Sequence, residues 1–284
     1  MLRGLALIGA VGAGAAAQQG KKRMLKLTLR SRQAEPGGAF RATERRQEWA
    51  PSQTAIIVCD MWNQHWCRGA TQRVGEVAPR MNRFLETARE RGVFIIHAAS
   101  SCMAAYDGTS ARLAARNAPA ASHPKEIGQW CYRIPAEEQG EYPLDQSDGG
   151  CDDEPKCDGG SPWTRQTDLL RIDDRDAISD SGTEIWNLFE ARGIRNAMLL
   201  GVHTNMCVLG RPFGLRNLAR YGKNVVLVRD LTDTMYNSRA RPFVNHFRGT
   251  DLIVEHIEKF VCPTITSDQV LGGKPFRFAA DPDR

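Results

Sequence analysis

Four short segments of this 284-residue chain, residues 54–59, 93–98, 197–202 and 224–228, are apolar at nearly every position. A strand with no polar face must be covered on both sides, which places it at the centre of a parallel sheet rather than on a wetted surface. Stretches with helical periodicity separate these runs. Val74, Val77, Ala78, Met81, Phe84, Leu85 and Ala88 form one stripe, and Gly92 follows as a C-terminal cap would. Residues 183–192, 206–221 and 251–260 read as further helices, the first two followed by Gly193 and Gly222; 110–117 reads as a short one. Residues 168–172 and 262–266 supply additional strands. Strand–helix alternation at this spacing predicts right-handed crossovers. The expected fold is therefore α/β, a single doubly wound, mostly parallel sheet with helices on both faces, a Rossmann-like three-layer domain.

Three segments stand apart from that rhythm. Residues 1–17 carry one positive charge, at Arg3, then an apolar run of small residues ending in Ala15-Ala16-Ala17-Gln18, the pattern of a cleaved signal peptide. The expectation is an exported protein, periplasmic or secreted. The run is too short to span a bilayer, and no other stretch is apolar enough, so a membrane-spanning segment is not expected. Residues 18–53 form a basic N-terminal arm: 24–30 alternate as an edge strand does, and 33–53 read as a loop around Gly37-Gly38. Nine of the arm's residues are Lys or Arg against three Glu, so it accounts for the whole net charge of +5. The domain at 54–284 is left close to neutral, without the basic face that nucleic-acid binding needs. Within it, residues 100–165 are an insertion rich in proline. Trp130, Tyr132, Tyr142 and Trp163 make this insertion a packed lid or wall rather than a linker.

Eight cysteines bear on the export reading. In an oxidising compartment Cys151 and Cys157 can close a small ring, and Cys67, Cys102 and Cys131 can pair, with connectivity open. Cys207 as a working thiol must stay unpaired, which leaves at least one more free cysteine; Cys59, inside an apolar strand, is the choice. There are no tight CxxC pairs to suggest a zinc site.

Ligands of open parallel sheets bind outside the carboxyl ends of the strands. Three such ends carry polar residues: Asp60, His97 and the turn His203-Thr204-Asn205-Met206-Cys207. At the start of a helix, Cys207 would feel the positive end of the helix dipole, and its own N–H could face a developing oxyanion. A thiol that attacks an amide needs a group to take its proton and return it to the leaving nitrogen, and Asp60 suits that task. Trp62, His65 and His97 are placed to line the pocket for a small-molecule substrate.

The segments Thr54-Ala55-Ile56-Ile57-Val58-Cys59-Asp60 and Gly201-Val202-His203-Thr204-Asn205-Met206-Cys207-Val208 resemble those of the isochorismatase-like cysteine hydrolases, which include nicotinamidases and N-carbamoyl amidases. The resemblance runs from about Thr54 to Thr266, and residues 222–230 look like the family's penultimate strand. It implies an Asp-Lys-Cys triad with Asp60 and Cys207 as two members. It also implies an oxyanion hole from the backbone N–H groups of His203 and Cys207, and a cis peptide between Val202 and His203. The family's lysine has no counterpart, because residues 169–178 contain none. Arg175 or Arg171 would supply a fixed positive charge, or Lys125 would reach in from the insertion.

The resemblance thus implies a hydrolase cleaving an amide-type C–N bond through a Cys207 thioester. Two alternatives are a catalytically altered binding protein on the same scaffold and a hydrolase of vinyl ethers, as isochorismatase is. No cofactor is required by this chemistry. A divalent metal is implied only weakly, since the family's Asp-x-His pair is replaced by His97-Ala98-Ala99-Ser100, leaving His65 and His97 as candidate ligands. The acidic run 145–153 lacks EF-hand spacing. Assembly into a homo-oligomer is compatible with all of this.

Overall fold

A computed structural model describes residues 24–282; the signal peptide expected at 1–17 and the first basic residues of the arm lie outside the described residues. The strands are β1 (Leu25–Ala34), β2 (Phe40–Trp49), β3 (Thr54–Cys59), β4 (Phe94–Ala98), β5 (Ala177–Ile178), β6 (Asn196–Val202), β7 (Asn224–Asp233) and β8 (Thr264–Ile265). They form one sheet in the order β2-β1-β8-β7-β6-β3-β4-β5. All pairings from β8 to β5 are parallel, whereas β1 is antiparallel to both β2 and β8. The helices are α1 (Arg68–Arg91), α2 (Ser110–Arg116), α3 (Gly182–Arg192), α4 (Leu215–Arg220), α5 (His246–Phe260) and α6 (Asp268–Leu271). Among the described residues no helix is long and apolar enough to cross a membrane.

Period-two geometry explains the uninterrupted apolar runs. In β3, Ile56 and Val58 pack with Val77, Met81, Phe84 and Leu85 of α1. Ala55, Ile57 and Cys59 point the other way, into a core shared with Ile185 and Phe189 of α3, Leu215 of α4 and Ile257 of α5. Each face is covered, so neither can be polar. Gly92 ends α1 in the left-handed region at φ 94° and Gly193 ends α3 at φ 63°, where a side chain would be strained.

Three expectations need correction. Residues 33–53 are not a loop: β2 pairs with β1 along its whole length, from Leu25 opposite Trp49 to Ala34 opposite Phe40. Because β2 is the outer strand and mostly exposed, its sequence carries charge instead of an apolar alternation. The arm is also docked, with Arg30 and Arg32 both donating to the buried carboxylate of Glu258, at 2.7 and 3.2 Å. Residues 168–172 form turns, and the strand of that region is the two-residue β5. Finally, 206–221 is not one helix. A π-helical turn at Thr204–Val208 precedes an irregular passage through Gly210, Pro212 and Gly214 before α4 begins. Proline cannot continue the hydrogen-bond ladder, and the two glycines sit where a Cβ would strike Trp130 or nearby backbone.

The insertion is a wall packed on the sheet, and its anchor is electrostatic. Glu137 is buried and accepts two bonds from Arg216, at 2.8 and 2.7 Å, one from the N–H of Ile134 at 2.9 Å, and pairs with His256 at 2.8 Å. Burial pushes its carboxyl up, but the His256 and Arg216 hydrogen bonds outweigh that and bring it down to about 2. A carboxyl depressed in the folded state stabilises it above the unfolded value of about 4.3, and that contribution is lost as pH falls from there through 2. The shift corresponds to about 3 kcal/mol. Urea midpoints measured between pH 6 and 2 should therefore fall in acid, and Glu137→Gln should be weaker at pH 7 with a flatter acid limb. A variant with the parent's pH slope would contradict this anchor.

Candidate active site

The central pair β3–β6 brings the site together. Cys59 lies opposite Gly201 in the parallel register. Gly201 has φ 107°, and a Cβ there would lie 2.0 Å from the carbonyl oxygen of Cys59, so no side chain could stand between the strands. Asp60 leaves the end of β3 with φ 48°, an uncommon value for a residue with a side chain and one typical of functional turns. The peptide joining Val202 to His203 is cis, as the resemblance implied.

After His203 the chain makes the π-helical turn that carries Cys207. Its shape is fixed from outside. Thr204 Oγ1 lies 2.7 Å from Thr232 Oγ1 and donates to the carbonyl of Asp233 at 2.9 Å. The Asn205 amide donates to the carbonyl of Met235 at 2.9 Å and to Gln146 of the insertion at 2.8 Å, and its oxygen accepts from the Met235 N–H at 3.0 Å. Tyr142 donates to the Asn205 carbonyl at 3.2 Å.

Asp60 is fully buried and saturated with donors. Oδ1 accepts the N–H of Ser100 at 2.8 Å, Oδ2 accepts Arg211 Nε at 3.1 Å, and the Cys207 thiol lies near enough to influence this carboxyl group. Arg211 lies one helical turn beyond Cys207, its N–H donating to the Cys207 carbonyl at 3.0 Å, and its charge acts on the thiol as well. Its guanidinium sits 5.3 Å from the centre of the Trp130 ring. Burial raises Asp60 above the usual carboxylate range, with Arg211 opposing. Burial and the Asp60 charge likewise hold the Cys207 thiol well above its ordinary value, with Arg211 again opposing. Burial thus disfavours the charged form of both groups, and the thiol stands beside a carboxyl group placed to exchange its proton.

The structure brings Asp60 and Cys207 together and separates Arg175, Arg171, Lys125 and His97 from them. Arg175 is exposed and paired with Asp173 at 2.6 Å; Arg171 is exposed on the same partner, and Lys125 is exposed. The cation beside the thiol is Arg211. Its signal was available in the sequence, since a residue four beyond Cys207 on one helical turn shares its face. His97 is not a pocket residue: it is buried between Gln166, 2.9 Å from Nδ1, and Asp176, 3.2 Å from Nε2, with Asp176 also bound by Arg89. Both ring nitrogens are engaged, so His97 does not fit the metal site considered for it with His65. Trp62 stacks on Trp163 at 4.2 Å and donates to the Ser100 carbonyl at 3.0 Å. His65 lies 5.7 Å from Trp163 and 4.8 Å from the His203 ring, completing an aromatic wall.

A cavity of about 700 Å³ opens beside the turn, lined by Asn205 and Met206 and by Trp130, Tyr132, Tyr142 and Arg133 of the insertion. Cys207 itself is 9% exposed, and neither it nor Asp60 nor Arg211 lines this cavity, which reaches the turn at Asn205 and Met206. A larger cavity of about 1010 Å³ lies between α1, β7 and residues 274–281 and touches none of Asp60, Cys207 or Arg211. All eight cysteines are free thiols, so the expected 151–157 ring is not closed.

No protein-family model and no curated protein matches this chain. Solved structures do show a likeness. A cysteine hydrolase from Pseudomonas syringae pv. phaseolicola is 17% identical over 78% of this chain and 93% of its own, with a TM-score of 0.48. An N-carbamoylsarcosine amidase from Thermoplasma acidophilum is 15% identical over 76% and 97%, with a TM-score of 0.40. A pyrazinamidase from Pyrococcus horikoshii, solved in complex with zinc, is 15% identical over 75% and 99%, with a TM-score of 0.43.

Removing Arg211 would leave a buried carboxylate unpaired, a change that costs about 3–5 kcal/mol. Arg211→Ala should lose stability on that scale in denaturant titrations, and Arg211→Lys should recover part of it. Equal stability of Arg211→Ala and the parent would show that Asp60 does not depend on this cation. Burial also lowers His65 to about 4 and His203 to about 3. Neither ring should titrate between pH 5 and 8 in histidine NMR spectra.

Proposed function

We propose that this protein is a cysteine hydrolase that cleaves an amide-type C–N bond of a small molecule through a thioester on Cys207. The observation that carries this reading is the buried contact of a thiol, a carboxylate and a fixed cation at the carboxyl ends of β3 and β6. The resemblance of residues 54–60 and 201–208 to isochorismatase-like hydrolases points the same way.

The cycle balances with these groups alone. Asp60 takes the thiol proton as the sulfur attacks the substrate carbonyl carbon, and the oxyanion so formed is received by the N–H groups of His203 and Cys207. The C–N bond breaks as Asp60 returns its proton to the leaving nitrogen, which releases an amine or ammonia and leaves the thioester. Water then attacks that carbonyl, Asp60 accepts its proton, and the sulfur departs to be reprotonated as the acid is released. Arg211 stays charged throughout and offsets the negative charge that passes between sulfur and carboxylate. In this reading the cavity walled by Trp130 and Tyr142 is the substrate's approach, because its lining includes Asn205 and Met206 of the turn that carries Cys207. Export ahead of Gln18 belongs to the same reading and is supported by the sequence of residues 1–17 alone.

The test is turnover of small carboxamides and N-carbamoyl compounds, followed by ammonia release, with hydroxylamine to capture the acyl group. Cys207→Ala should lower kcat by on the order of 10⁴-fold or more, and Asp60→Asn by roughly 10²–10⁴-fold. The thioester should appear by mass spectrometry on the peptide containing Cys207. Amide turnover that survives in Cys207→Ala would sink the thioester, and hydrolysis of a vinyl ether by that same variant would favour cleavage of a C–O bond instead.

A further inference from the structure

Away from Asp60 and Cys207, three more cysteines converge where the insertion meets the start of α1. Cys67 is the N-cap of α1, and Cys151 and Cys157 come from the insertion. Their sulfurs lie 3.4, 3.6 and 3.1 Å respectively from one atom, Oδ2 of Asp153. The Gly69 N–H donates to that same oxygen at 3.0 Å. Four donors on one carboxylate oxygen exceed its two lone pairs, so hydrogen bonding alone accounts poorly for the arrangement.

A tetrahedral zinc ion accounts for it better. With Zn–S of about 2.3 Å and Zn–O of about 2.0 Å, tetrahedral angles separate each sulfur from the oxygen by about 3.5 Å. The three observed separations bracket that value. The ligand atoms of Cys67, Cys151 and Asp153 also lie within 4.8 Å of one another; Cys157 lies outside that group but beside the same carboxylate oxygen, and its sulfur would swing inward to become the fourth ligand. A disulfide would use only two of the three sulfurs and strand the third, whereas a four-coordinate ion uses all three and the carboxylate.

The frame around the cluster is rigid. Asp152, between two of the ligands, is held by both terminal nitrogens of Arg73, at 2.9 and 3.1 Å. Gly150 has φ 75°, and a Cβ there would lie 2.4 Å from the Met235 carbonyl, so only glycine lets Cys151 approach. Such support is what holds ligands in place before an ion arrives.

From this geometry we infer that Cys67, Cys151, Cys157 and Asp153 form a structural binding site for a thiolate-preferring divalent ion of the zinc class. Three sulfurs with one oxygen exclude calcium and magnesium as the natural occupants. The ion would pin residues 151–157 to the N-terminus of α1. His65, two residues before Cys67, would then be held in its contacts with Trp163 and His203. The site is independent of the proposed reaction, because none of its ligands touches Cys207.

The test is elemental analysis of the full chain, purified under reducing conditions and reconstituted with zinc sulfate. About one zinc per chain is expected, and cobalt(II) in its place should give the intense visible bands and thiolate charge-transfer absorption of a tetrahedral sulfur site. Cys157→Ser and Asp153→Asn should each weaken zinc binding by at least tenfold, while Cys102→Ser should leave it unchanged. If a variant fails to fold, alkylation of the unmutated protein gives the answer: Cys67, Cys151 and Cys157 should be protected together with zinc and become reactive together after chelation. No zinc retained after reconstitution, octahedral cobalt spectra, zinc content insensitive to the variants, or a disulfide between two of the three sulfurs that excludes the ion would each overturn the inference. Loss of zinc with turnover intact would leave the thioester reading standing, so the two fail separately.

Discussion

The close approach of β3 and β6 is the constraint on which the site depends. Gly201 lets the two backbones meet where the sheet ends, and the chain that leaves each strand there carries one reacting group, Asp60 on one side and Cys207 on the other. Both strands are buried on both faces by α1 on one side and α3 to α5 on the other. The position of the thiol relative to the carboxylate is therefore inherited from the stiffest part of the molecule rather than from a loop.

Burial that fixes this geometry also sets the electrostatics. A carboxylate with no exposure is costly unless it is bonded, and Asp60 answers that cost with the Ser100 N–H and Arg211. The same dry surroundings disfavour a free thiolate at Cys207, so in the proposed reaction the sulfur becomes nucleophilic by giving its proton to the neighbouring carboxylate. The insertion contributes by closing over these groups. Glu137, Arg216 and His256 bind it to α4 and α5, and Gln146 and Tyr142 hold the turn that carries Cys207.

Much of this was legible from residue pattern. The apolar runs located β3, β4, β6 and β7, and the stripe in α1 gave its register and, through Gly92, its end. Asp60 and Cys207 stood out as polar groups following apolar strands. What was missed has local causes. The outer strand β2 is charged because it is exposed, and β5 has only two residues, too few to show a period. The single helix expected over 206–221 is broken at Pro212 because tight packing of Gly210 against Trp130 matters more there than continuous helical periodicity. His97 looked like a rim residue but lies a little deeper, where Asp176 and Gln166 enclose it.

By itself the sequence determined the layered sheet, the alternation of its central strands and helices along the chain, and the two polar groups at the carboxyl ends of its strands, because burial on both faces is written in every residue of a strand. Which cation would join them was decided only by the tertiary structure. Arg171, Arg175 and Lys125 were equal candidates by position, yet all three point into water, and Arg211 is carried under Trp130 to Asp60. The convergence of Cys67, Cys151 and Cys157 on Asp153 was likewise decided by folding, since these residues are up to ninety positions apart. Charge pairing and ligand clusters depend on contacts between distant segments, and such contacts leave no period in the chain.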